Sequence, residues 1–184
     1  MRRTLIPFSA PFMALLALVS CDSTQGTQPA GLAHSHAVPN APSNVVMESE
    51  LALDVKDATA RFNSQVQAEK AGYVESSPCI ASPAGGMGYH WVNGPLVDSI
   101  FDPLNPEALV YAPDKHGRQR LVAVEYIVLD KGQPAPEFDG YPFDEGGTPV
   151  PDPHWSLHAW LFKTNPSGVH APFNPDVTCP EIEI

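Results

Sequence analysis

Residues 108–130, ALVYAPDKHGRQRLVAVEYIVLD, hold two apolar runs on either side of a short polar stretch. Pro113, Asp114 and Gly117 between them are turn-forming residues, so 108–112 and 120–130 read as a β-hairpin. The second run is rich in β-branched residues and is apolar on both faces apart from Glu125. Such a strand belongs in the middle of a sheet. Working outward, residues 87–93 (MGYHWVN) alternate Met87, Tyr89 and Trp91 with Gly88, His90 and Val92, and residues 155–163 (WSLHAWLFK) form another strand-like run. Upstream, Val55, Ala58, Thr59, Phe62, Val66 and Tyr73 recur at helical spacing, which predicts one amphipathic helix over 54–73, capped by Asp54 and ended by Gly72. A single apolar stripe of this kind packs one face onto a sheet.

Residues 131–153 separate the third strand from the fourth. They are rich in proline and acidic residues and too irregular for an element, although Phe138, Tyr141 and Phe143 predict that the segment folds down over the sheet. The expected fold is therefore α+β: one domain over 49–184, with a mainly antiparallel sheet of about four strands under an N-terminal helix.

The N-terminus carries a different message. Arg2 and Arg3 precede a short apolar run that includes Ala14 and Val19, the pattern of an export signal over 1–20. The run is broken by Pro7 and Pro11 and is too short to remain in a bilayer, which takes about 20 apolar residues. Leu18-Val19-Ser20-Cys21 resembles the lipobox of bacterial lipoproteins, which implies cleavage before Cys21 and a lipid on its sulfur. The alternative is an ordinary secretory signal with a chance cysteine. Asp22 resembles the inner-membrane retention signal of some Gram-negative bacteria, placing the protein at the periplasmic face if the source is one. Residues 21–48 read as a flexible tether without apolar period, in which His34 and His36 are incidental. The expected partner is thus the lipid bilayer.

The whole chain carries 10 basic against 21 acidic residues, a formal charge of −11. That balance argues against nucleic acid as a partner. Of the three cysteines, Cys21 is assigned to lipid, which leaves Cys79 and Cys179. In an oxidising compartment a disulfide is their simplest use, stapling the C-terminal tail back to the domain. A metal-ligating pair and a redox couple are the alternatives, and both usually come with closer spacing.

His90, Glu125 and His158 each fall in the middle of a predicted strand among apolar neighbours. An ionisable group there is costly to bury unless it is paired. If the three share one sheet face, two imidazoles and a carboxylate converge in a set suited to a divalent transition metal such as zinc, iron or copper. The alternative is a polar cluster satisfied internally. His154 and His158 form an H-x-x-x-H pair, but four residues along a strand span about 13 Å, too far to share an ion. His154 is therefore expected as a separate ligand, with His170 a weaker candidate. No G-x-S-x-G, H-E-x-x-H, phosphate-binding glycine loop or C-x-x-C-H is found in the sequence. Gly85-Gly86-Met87-Gly88 leads into a strand, so it reads as a place where backbone passes close to backbone.

Three segments, PAGGMGYHWVN, RLVAVEYIVLD and LHAWLFKTNPSGVHAPFNPDVTCP, resemble a group of exported bacterial proteins of unknown function. That group shares a GMGxH segment and a C-terminal HxWxxxxNPxG…NPxVxCP segment. The resemblance implies that Cys79 and Cys179 belong to a shared framework, and it implies no activity. The functional expectation from the residues is a small-ligand or metal-binding module. A metal-dependent or His/Glu acid–base enzyme using the same cluster and a structural envelope protein are the alternatives.

Overall fold

The computed structural model describes residues 48–147 and 150–180. The signal at 1–20, Cys21, Asp22 and the tether as far as residue 47, with His34 and His36, lie outside the described residues. The described part is an α+β domain. Its helical segment comprises α1 (Glu50–Thr59), a 3-10 turn (Ala60–Asn63) and α2 (Gln65–Lys70). The strands are β1 (Val74–Glu75), β2 (Ile80–Ser82), β3 (Gly85–Val92), β4 (Ala108–Pro113), β5 (Gln119–Leu129), β6 (Glu137–Phe138), β7 (Tyr141–Pro142), β8 (Asp144–Glu145) and β9 (His154–Ala159). No helix among the described residues is long and apolar enough to cross a membrane.

The main sheet runs β1-β3-β4-β5-β9-β8, with β2 also pairing β3, and every pair is antiparallel. β5 is central, as its two-sided apolar pattern predicts: eight of its residues in succession, from Leu121 to Val128, are buried. The hairpin β4–β5 turns at Asp114, whose backbone N–H donates to Arg118 O, and Gly117 takes positive φ there. The four long strands are those expected, except that the last runs from His154 to Ala159 and stops four residues short of Lys163, and five strands of two or three residues add to them.

The helix departs from expectation in two ways. Its N-cap is Ser49, not Asp54: the Ser49 hydroxyl accepts the Ala52 N–H, and Glu50 supplies the negative charge that favours a helix start. The chain then breaks at Ser64, which is extended (φ −93°, ψ 109°). The break changes the helical phase, so Ala68 is buried and Val66 is exposed. Gly72 ends the segment at φ +98°, as predicted. Ala52, Val55, Phe62, Ala68 and Tyr73 pack with Leu109, Tyr111, Val124 and Tyr126 of the sheet in one apolar cluster.

The segment 131–153 is also more ordered than expected. β6 and β7 form a small hairpin, and β8 joins the edge of the main sheet beside β9. Phe138 and Phe143 are buried with ring centroids 5.5 and 5.9 Å from that of Tyr126, while Tyr141 stays exposed. Their face is the helix face.

The opposite face is covered by the C-terminal tail. Trp160 and Val177 cluster there with Val110 and Ala123, and Asn174 forms a bridge with Gly86. The backbones meet so closely that a Cβ on Gly85 would lie 2.2 Å from Asn174 O. Gly88, at φ +113°, passes as close to Tyr111 O. The glycine run is a backbone crossing, and only glycine meets both conditions. Cys79 and Cys179 are joined by a disulfide, Cα–Cα 5.5 Å, which fixes the tail beside β2.

Candidate metal centre

On the tail-covered face, register decides which side chains meet. Val92, Ala108, Glu125 and His158 lie opposite one another across β3, β4, β5 and β9, and His90 pairs with Val110 one step along. All of these point to one face, because cross-strand partners and residues two apart share a side. Beside Glu125 and His90 the intervening strand β4 presents Ala108 and Val110, and His90 reaches across it towards Glu125. His90 Nε2 lies 3.5 Å from Glu125 Oε2, and His158 Nδ1 lies 4.0 Å from Glu125 Oε1. The two imidazoles meet edge to face, ring centroids 5.7 Å apart. One donor atom from each of the three residues falls within 4.8 Å of the others.

All three residues are buried. His90 Nε2, Glu125 Oε2 and His158 Nε2 have no hydrogen-bond partner among the described residues. Orphaned buried polar atoms are rare and call for a reason. His90 is held from its other side: Ser77 Oγ lies 3.0 Å from Nδ1 and accepts the His90 backbone N–H at 3.1 Å.

Burial opposes charge on every member. It lowers His90 to about 4 and His158 to about 3, the latter also through the neighbouring His90, and it raises Glu125 to about 8 with a contribution from Glu107. With protons alone, the group at neutral pH is therefore a carboxylic acid between two neutral imidazoles. A divalent cation reverses that logic, because it replaces the proton and stabilises the carboxylate.

The group opens to a cleft of about 280 Å³ lined by Glu125, His158, Met87, Ser156, His170 and Phe173 among others, with Asp144 and Glu145 also on its wall. His170 Nδ1–H donates to the His158 carbonyl at 2.9 Å, and its ring packs against Phe138 and Tyr141. His154 is placed elsewhere. It stands opposite Leu129, four residues along β9 from His158, with Nδ1 2.6 Å from Asp152 O and its ring pressed against Gly146. It is not part of the three-residue group.

Two residues that complete the picture escape the sequence reading. Glu107, just before β4, is buried with its Oε2 accepting the Ile127 N–H, and burial raises it to about 8. Its position at the head of the apolar run ALVYA carries the same signal that singles out Glu125. Ser77 has no such signal, since its role depends on where a loop crosses β3.

Comparison with family models, with curated proteins and with solved structures finds no match to this chain.

Proposed function

We propose that the protein is an envelope-anchored binding module that holds one divalent transition-metal ion between His90, Glu125 and His158. The observation that carries the reading is the convergence of two imidazole nitrogens and a carboxylate oxygen within 4.8 Å, with buried atoms that lack other partners. Two nitrogens and one oxygen are a donor set for zinc or ferrous iron. Ligands about 2.1 Å from a tetrahedral ion stand roughly 3.4 Å apart, so the group closes by about an ångström around the metal. The remaining coordination position faces the cleft beside Glu125 and His158. That opening favours a second reading, in which the ion activates water or a small ligand for catalysis.

The mature protein, purified without a histidine tag, is expected to bind one Zn²⁺ or Co²⁺ per chain, measured by calorimetry and by metal analysis after dialysis. Glu125→Gln and His158→Ala should each weaken binding by at least about 100-fold, since each removes one of three ligands. At a free-metal concentration of about 100 times Kd, the wild type should gain about 2.7 kcal/mol of stability. Absence of stoichiometric metal at millimolar concentration sinks the proposal. Turnover in the cleft, lost in Glu125→Gln, would select the catalytic reading.

Anchoring rests on Cys21 and the apolar segment before it. Mass spectrometry of the mature N-terminal peptide should find a thioether-linked diacylglycerol on Cys21, and Cys21→Ser should release the protein from membranes. An unmodified N-terminus at another residue would remove the anchor from the proposal.

A further inference from the structure

We infer that Ser77 is the positioning residue of this centre: its hydroxyl holds the His90 ring in place and can accept the Nδ1 proton, which leaves Nε2 free to bind the metal. The inference rests on the metal-binding reading above. Ser77 touches His90 twice, at the backbone N–H and at Nδ1. The adjacent Ser76 donates its own N–H to the His90 carbonyl at 2.8 Å. Residues 76–77 therefore grip His90 by both main-chain groups and by the ring. Two residues on, Cys79 is covalently tied to Cys179, which prevents the segment from drifting off β3.

The chemistry at Nδ1 follows from what the hydroxyl can do. For Nε2 to offer its lone pair to a cation, the ring proton must sit on Nδ1, where it donates to Ser77 Oγ. Without a metal the hydroxyl is equally able to donate to Nδ1, with the ring proton then on Nε2, whose nearest carboxylate oxygen is Glu125 Oε2 at 3.5 Å. A serine serves both states because it donates and accepts. A carboxylate at this position would accept only, and an alanine would do neither. His158 has no matching support, as neither of its ring nitrogens has a hydrogen-bond partner among the described residues, so Ser77 orders the His90 side of the set.

The test is Co²⁺ and Zn²⁺ titration of the full mature chain, with the visible spectrum of the cobalt form as a report on geometry. Ser77→Ala should bind 10- to 100-fold more weakly, the usual loss when a supporting hydrogen bond to a ligating histidine is removed. It should also alter the cobalt absorption bands. Ser77→Thr should restore affinity to within a few-fold. Ser77→Val, which matches threonine in shape and lacks only the hydroxyl, should behave like Ser77→Ala. Equal affinity and an unchanged spectrum in the alanine and valine variants overturn the inference, as does a fall in melting temperature with affinity intact. Failure of threonine to rescue overturns it too. If the wild type binds neither ion, the metal-binding reading itself fails, and the two results are told apart by the wild-type titration alone.

Discussion

The metal-free protein is expected to be most stable between about pH 4.5 and 6.5, and to lose stability on both sides of that window. Glu107 and Glu125 keep their protons to about pH 8 in the folded chain, whereas in the unfolded chain they release them near the ordinary 4.5. Their contribution is complete below pH 4.5 and is lost as pH rises towards 8. His90 and His158 behave in the opposite sense, with folded values of about 4 and 3 against an ordinary 6.5. Their contribution is complete above pH 6.5 and is lost as pH falls through the folded values. Between 4.5 and 6.5 the folded chain holds two extra carboxyl protons and the unfolded chain two extra imidazole protons, so the slopes cancel.

Above pH 6.5 only the carboxyls remain unbalanced. Each contributes a slope of about 1.4 kcal/mol per pH unit, so the pair gives roughly 3. Urea unfolding from pH 4 to 8.5 would measure it. Glu125→Gln and Glu107→Gln should each remove about half of the alkaline slope, and saturating Zn²⁺ should remove the Glu125 share by holding that carboxylate ionised. A stability that stays level from pH 6.5 to 8, or a slope unaltered in Glu125→Gln, would show that the carboxyls titrate as though exposed.

Loss of the Cys79–Cys179 disulfide should produce a comparable effect by a different route. The bond spans a sequence separation of 100 residues. In the chain-entropy model a loop of that size restrains the unfolded chain by about 4.7 kcal/mol, and removal of native disulfides costs about 2 to 5. The Cys79→Ser/Cys179→Ser double variant should lose stability within that range. Its urea m-value should rise, since the unfolded chain is freed to expose more surface. Locally, the tail crossing of Asn174 over Gly86 and the burial of Val177 should weaken first, exposing the apolar cluster of Val110, Ala123 and Trp160. Hydrogen exchange at the Gly86, Asn174 and Val177 amides, all bonded in the crossing, would register this. A double variant within about 1 kcal/mol of the wild type would mean that packing alone holds the tail.

The long strands were legible because period-two alternation and β-branched runs are local signals. Glu125, His90 and His158 stood out because each interrupts such a run. What no local signal carried was the register that lines Val92, Ala108, Glu125 and His158 in one row, nor the smallness of Ala108 that lets His90 reach across β4. The helix start was misplaced because Ser49 and Asp54 are equally good caps by type, and the choice falls to the one whose hydroxyl meets a free N–H. Val66 continued the apolar period past Ser64, which concealed the break that turns it to solvent. Residues 137–145 show no alternation because their strands are two residues long and pair through backbone groups.

The outermost strands of the main sheet, β1 and β8, are two residues long, and each carries exposed acidic side chains: Glu75 on one side, Asp144 and Glu145 on the other. A row of free N–H and C=O groups is a template for adding further chains, and brief, charged borders deny a newcomer both length and company. Two copies meeting edge to edge would therefore find little backbone to pair with and like charges facing one another along these margins.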